Sequence, residues 1–217
     1  MKTNEETYRD RWLDRVMIHL LTAKLSKAVG KDTALQGYAG LVDVSKQLMQ
    51  QHDAETQQAV VGNLLRSLIP AFVLALIRTL VPPTRRVLEW NAWFASQWFE
   101  WLVGPCALQT VEVIGVNGEV RTQRSGVQIK KCRYLEQSGC VGMCVNLCKL
   151  PTQTFFAQEF GFPLTMTPNF EDLSCEMVFG QIAPSIKTEP VYDQPCLVAQ
   201  CDLAAPRAVA CPQVRSG

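Results

Sequence analysis

The feature that most limits what this chain can fold into is its distribution of thiols. Eight of nine cysteines (Cys132, Cys140, Cys144, Cys148, Cys175, Cys196, Cys201 and Cys211) lie from residue 132 onward, and Cys106 stands apart. The densest stretch, "CRYLEQSGCVGMCVNLCK", holds four of them. The first half therefore reads as a scaffold and the second as something the thiols organise. With 217 residues, 47% of them hydrophobic, the chain is long enough to bury a substantial core. A net charge of +1 leaves no basic footprint, which argues against nucleic acid as a partner. The opening "MKTNEETYRD" carries acids and no apolar core, unlike a secretory signal or an Arg-rich transit peptide. That moves weight from disulfides toward metal or redox chemistry.

Helical spacing dominates the first hundred residues. Trp12, Leu13, Val16, Met17, Leu20 and Leu21 form one set, and Leu41, Val44 and Leu48 a second, each predicting one buried face. The run "LLRSLIPAFVLALIRTLV" is more apolar, but the uncharged part between Arg66 and Arg78 is short of the ~20 residues a bilayer span needs. Pro70 interrupts or restarts that helix, and a pair of buried core helices is the first reading. Beyond Pro82-Pro83, Trp90, Trp93, Phe94, Trp98, Trp101 and Leu102 fall on one helical face. Such a stripe is more often core than cofactor box, yet it also suits a long conjugated ligand or a membrane interface. Period-2 segments then flank Asn117-Gly118, a favoured hairpin turn, and "VQIKK" reads as a third strand leading into Cys132.

On a helix from Gly139 to Leu150, capped by Ser138 and stopped by Pro151, Cys140, Cys144 and Cys148 share one side. Neighbours four apart meet one metal or cluster readily, but the outer two are separated by ~12 Å along the axis. The ladder therefore points to two sites, or to one site and a further thiol, unless the helix unwinds at Gly142. Cys175 and the segments "QPCLVAQC" and "ACP" are rich in turn residues and poor in apolar periodicity, so a cross-link is expected to hold them. Iron or an iron–sulfur centre suits cysteine-only ligation, because His19 and His52 lie far from the thiols in sequence. Zinc accepts four cysteines but lacks its usual C-x-x-C knuckles here, and disulfides stand third. His19 reads as an ordinary core or surface residue. Asn169, Glu171 and Asp172 read as a turn.

The stretch "IKKCRYLEQSGCVGMCVNLCKLPTQTFFAQEFGFPLTMTPNFEDLSCEMVFGQIAP" resembles the signature of the Dwarf-27 family, the iron-containing all-trans/9-cis β-carotene isomerases of strigolactone biosynthesis. The likeness extends to "GYAGLVD", "LIRTLVPPTR", "WFEWLVGPC" and "QPC". Cys132, Cys140, Cys144, Cys148, Cys175 and Cys196 match the family pattern, whereas Cys106 and the spacing from Cys196 to Cys201 depart from it. The resemblance implies a plastid enzyme that binds β-carotene and feeds a carotenoid cleavage dioxygenase.

Rotating a polyene double bond requires its bond order to fall for a moment, and β-carotene offers no heteroatom for an acid or base to grip. Reversible one-electron exchange with iron or an iron–sulfur cluster, or Lewis-acid action, meets that need, and zinc has no accessible redox state. The expected ligands are Cys144, Cys148 and Cys175 with one or more of Cys140, Cys196 and Cys201. The apolar substrate calls for a tunnel or a lipid-docking face, expected at Leu64 to Val81 with Arg78, Arg85 and Arg86 and at the tryptophan stripe. A zinc- or disulfide-stabilised interaction protein and an electron-transfer iron–sulfur protein are the alternatives. The expected fold is mainly α with a small antiparallel β meander (α+β) in a single domain: a helical bundle over 1–105, the meander over 110–131 and a cysteine-rich, metal-organised part over 132–217.

Overall fold

The structure, a computed structural model, describes residues 8–114, 118–185, 189–197, 199–201 and 210–214. Among these, α1 (Trp12–Val29), α2 (Gly37–Gln51), α3 (Ala54–Arg66), α4 (Ala71–Leu80), α5 (Arg85–Trp98) and the short α6 (Glu100–Val103) precede a sheet. Local chemistry sets their ends. Asp53 caps α3 by accepting the Thr56 N–H at 2.8 Å. Helix α1 closes on Gly30, whose φ of 74° is left-handed.

Three faces differ from expectation. In α1 the core side is Asp14, Ile18 and Leu25, while Trp12, Leu13, Val16, Met17 and Leu20 are exposed, Trp12 at 73%. The helix is apolar on two sides, and periodicity alone does not say which side packs. Helix α2 buries Leu41, Val44 and Leu48 as expected.

The buried pair expected next holds for α3, which buries Val61 and Leu64, and fails for α4, where only Leu74 is buried and Phe72 is 74% exposed. Pro70 restarts the chain in a new direction: α3 and α4 meet at 85°, which carries α4 off the core. No single helix among the described residues is long and apolar enough to cross a membrane.

In α5 the core side is Leu88 with the small Ala92, Ala95 and Ser96, and the helix lies against β1, β2 and β4 of the sheet (β1, Cys106–Ile114; β2, Val120–Ile129; β3, Leu164–Pro168; β4, Cys175–Phe179). Trp90, Trp93 and Trp98 face outward. Phe94 stacks between Trp90 and Trp98, with ring centroids 5.5 and 5.4 Å away. The helix ends at Trp98, so Trp101 and Leu102 leave the stripe and pack against the core from α6.

Strands β1 and β2 form the expected hairpin, paired from Ile114↔Val120 to Cys106↔Ile129. Asn117, assigned to its turn, lies outside the described residues. "VQIKK" is no third strand. Its first residues are the end of β2, carried past a bulge between Gln109 and Val111. The remaining strands come from the segment read as irregular: β3 and β4 complete an antiparallel sheet of order β1-β2-β4-β3. The turn between them uses the residues expected, with Asn169 Oδ1 and Asp172 Oδ1 accepting the backbone N–H groups of Glu171 and Ser174 at 2.9 and 2.8 Å. The α+β class therefore stands, with a sheet that reaches well beyond residue 131.

Helix α7 (Arg133–Ser138) ends on Gly139, so Ser138 is the last residue of one helix and not the cap of the next. The following helix, here the cysteine helix, is π-helical over Met143–Lys149, α-helical over Leu150–Phe155 (α8) and π-helical again over Phe156–Phe160. It runs through Pro151 instead of stopping there. A proline ring clashes with the carbonyl four residues earlier, and the wider turn relieves this: the Leu150 N–H bonds to the Val145 carbonyl, five residues back.

One hydrophobic cluster joins Ile18 through Cys201. A second, of Val141, Val145, Val191, Cys196, Cys211 and Val214, gives the tail an apolar anchor where a cross-link was expected. The Asn146 side-chain amide adds a polar tie, donating to Gln57 Oε1 at 2.8 Å and to the Gln213 carbonyl at 2.6 Å.

Candidate functional site

The fold separates the thiols into two groups. Cys132, Cys144, Cys148 and Cys175 line one small void, together with Tyr134 and Lys149. Two of them sit on adjacent levels of the π-helical turn. Cys132 follows β2, and Cys175 opens β4 opposite Ile129 of β2 and Pro168 of β3. The Cys132 N–H donates to the Leu173 carbonyl at 2.7 Å, and Leu173 has a left-handed φ of 63°, unusual for a bulky residue. The sheet end and the wide helical turn thus converge on the same point.

Burial dominates the electrostatics of this group. It pushes the thiol of Cys148 up to about 12 from the ordinary 9.0, and it raises those of Cys132, Cys144 and Cys175. For Cys144 and Cys175 the neighbouring thiols add to the rise, and Lys149 opposes it. Without a bound cation, burial favours their neutral form.

Lys149 is 2% exposed and held from three sides. Its Nζ donates to Gln153 Oε1 at 3.1 Å and to the Met166 carbonyl, and it lies 2.8 Å from Glu189 Oε2. That last contact is an ion pair with poor hydrogen-bond alignment, since Glu189 Oε2 accepts no well-aligned donor. Lys149 thus sets a buried positive charge beside the four thiols, balanced by Glu189.

All nine cysteines are free thiols. Among the described residues no three His, Cys, Asp or Glu side chains come close enough to hold a single metal ion. Four thiols surround a small void of about 10 Å³. The donor set is soft, cysteine-only and beside a fixed cation, so it fits thiolate-bound iron–sulfur chemistry in kind.

Cys140, Cys196, Cys201 and Cys211 lie elsewhere. The Gln200 carbonyl comes within 2.5 Å of where a side chain on Gly139 (φ +59°) would begin, which brings Cys201 against Cys140. The Cys211 N–H donates to the Gln194 carbonyl at 2.8 Å, which brings Cys211 beside Cys196. The thiol of Cys140 lies near those of Cys201 and Cys211, and that of Cys211 near Cys196. Of the six ligands named from sequence, the structure gathers Cys144, Cys148 and Cys175 and sets Cys140, Cys196 and Cys201 apart. Cys132, Tyr134, Lys149 and Glu189 were missed as members of the inner site. Cys132 matched the family pattern and was the one signal available.

An apolar chamber of about 100 Å³ lies between α1, α2, α3 and the cysteine helix, lined by Leu25, Leu41, Val61 and Leu147 among others. Cys148 and Tyr134 belong to its wall as well as to that of the thiol void. A wider groove of about 380 Å³ lies between α4 and α5, with Ile77, Val87, Trp90, Phe160 and Phe162 along it. The tryptophan residues named from sequence are thus on the outside, away from the thiols, except Trp101.

Residues 101–188, the part that carries the inner thiols, match the family model described as the C-terminal region of β-carotene isomerase D27-like proteins. The protein of Medicago truncatula named β-carotene isomerase D27, chloroplastic, is 38% identical over 195 residues, covering 90% of this chain and 75% of that one. The chain belongs to the D27 β-carotene isomerase family. By that membership it is an isomerase. Its Arabidopsis thaliana relative of the same name is 36% identical over 196 residues, 89% of this chain and 72% of the relative. No solved structure matches the chain.

Proposed function

We propose that this isomerase interconverts all-trans and 9-cis β-carotene in the plastid, using an iron–sulfur or other thiolate-bound iron group held by Cys132, Cys144, Cys148 and Cys175, and that its product passes to a carotenoid cleavage dioxygenase toward strigolactones. The observation that carries the reading is the four-thiol void beside an apolar chamber in a member of this family. When bound, such a group supplies reversible one-electron exchange, which lowers the order of the double bond that turns.

The chain's own residues do the rest. The sheet end and the π-helical turn hold the four sulfurs, and burial keeps water from the reacting polyene. Lys149 balances negative charge on the ligated thiolates, and Glu189 and Gln153 keep it in place. Aliphatic side chains from α1, α2 and α3 hold the hydrocarbon against Cys148.

A substrate that lives in lipid also needs a docking face. The outward residues of α1, the exposed Phe72, Leu76 and Leu80 of α4 and the tryptophans of α5 offer apolar side chains for it. Arg78 and Arg86 are exposed beside the α4 and α5 part, as contact with anionic headgroups requires.

The test is incubation of the purified, iron-replete protein with all-trans β-carotene in dark anaerobic micelles, followed by chromatographic separation of isomers. Formation of the 9-cis isomer is expected. Unchanged substrate over an intact metal group would move the protein to electron transfer or to another carotenoid.

A further inference from the structure

We infer that the four outer cysteines form a thiol–disulfide exchange site, in which Cys140 joins Cys201 and Cys196 joins Cys211, and that the oxidised form latches the tail onto the cysteine helix.

Contacts away from the sulfurs bring the partners together. The Gln200 carbonyl lies 2.5 Å from where a Cβ on Gly139 would begin, so the residues just before Cys140 and Cys201 touch. The Cys211 N–H donates to the carbonyl of Gln194, two residues before Cys196, at 2.8 Å, and both thiols belong to the apolar cluster of Val141 and Val145. Gln213 packs on Gly142, and its carbonyl accepts the Asn146 amide at 2.6 Å. The thiols then follow one another in the order Cys201, Cys140, Cys211, Cys196. A row of four pairs off completely in one way, each end member with its neighbour.

Accessibility divides the work. Cys201 and Cys196 keep 9% and 7% of their surface exposed, Cys140 and Cys211 only 2% and 1%. Burial also pushes the thiols of Cys140 and Cys211 up to about 12 and about 11, which makes them the poorer first nucleophiles. Backbone N–H groups favour the thiolate they need later: that of Met143 beside Cys140, and those of Gly142 and Gln213 beside Cys211.

The oxidant is a small-molecule disulfide. The Cys201 thiolate attacks one of its sulfurs, forms a mixed disulfide and expels a thiolate, which takes up the proton that Cys201 lost. Cys140 then attacks the Cys201 sulfur, closes the protein disulfide and expels the second thiol, which carries away the Cys140 proton. Two electrons pass from the protein pair to the oxidant. Cys196 and Cys211 follow the same course with a second molecule, and a dithiol reverses both.

The latch reaches the inner site through the tail. Glu189, 2.8 Å from the Lys149 Nζ, opens the same segment that carries Cys196. Cross-links at Cys196 and Cys201 limit the excursions of that segment and so hold Glu189 on Lys149.

Wild-type protein, before and after incubation with glutathione disulfide, is unfolded in an alkylating agent and mapped by mass spectrometry. The outer four thiols are expected to escape alkylation, to be recovered in peptides joining Cys140 to Cys201 and Cys196 to Cys211, and to be restored by dithiothreitol. Amide hydrogen exchange over residues 189–197 is expected to slow by about tenfold or more on oxidation. In a folded Cys196→Ser/Cys201→Ser protein, oxidation of Cys140 and Cys211 is expected to slow by about tenfold or more. Wild-type outer thiols that stay free, or that carry only glutathione, would overturn the assignment. Cross-links that form and leave the exchange over 189–197 unchanged would overturn the latch.

Discussion

The two groups of thiols differ in what holds them. The inner four are placed by a sheet end and a π-helical turn and surround one void, with a fixed lysine beside them. The outer four lie near the start of the cysteine helix, where Cys140 neighbours both Cys201 and Cys211, and Cys211 neighbours Cys196. Regular elements fix the first set to each other, whereas the second set fixes one piece of chain to another. On the proposed function, the first set carries the chemistry and the second fastens the tail.

The largest effect that would break this comparison is on catalysis. Cys148→Ser is expected to lower isomerisation by at least about a hundredfold, because it removes a ligand that also meets the substrate. A chromatographic assay showing near-normal turnover would place the chemistry elsewhere. Next in size, Lys149→Met leaves Glu189 buried without its partner and is expected to cost about 3–5 kcal/mol, read from denaturant unfolding of the metal-free protein.

Cys211→Ser puts a hydroxyl into the apolar cluster of the tail and is expected to cost about 1–3 kcal/mol, with activity kept. Loss of activity in a folded Cys211→Ser protein would merge the two groups into one. The smallest effect concerns pH. In the metal-free protein burial raises the thiol of Cys148 from 9.0 to about 12, so the folded state holds this proton more tightly than the unfolded chain does. The stability this gives is fully present below about pH 9 and is lost as pH rises toward about 12. The melting temperature of the metal-free protein should therefore fall across that window, and a flat profile would show that the thiol is not desolvated.

Much of this was legible in the sequence where one pattern had one meaning. The helices of the first hundred residues, the hairpin around Gly118 and the turn at Asn169 to Asp172 follow from local propensity. The readings went astray where tertiary structure chose between equal options. Helix α1 is apolar on two sides, and only its neighbours decide that Ile18 and Leu25 pack while Trp12 and Leu20 do not. Pro151 reads as a stop, and a π turn, which leaves no mark in composition, lets the helix pass. Strands β3 and β4 are only five residues each and flank a stretch of turn residues, so their pairing shows only once β2 offers an edge. Cys132 joins the inner thiols through that same pairing, because Cys175 sits opposite Ile129, three residues before it. The ladder spacing alone links Cys144 to Cys140 as strongly as to Cys148.

Iron and acid-labile sulfide, measured side by side in the wild-type protein, in Cys144→Ser/Cys175→Ser and in Cys196→Ser/Cys211→Ser, test the division most directly. The account expects both to be lost from the first variant and retained by the second, at wild-type stoichiometry. Retention in the first with loss from the second would contradict it and make the tail the metal centre.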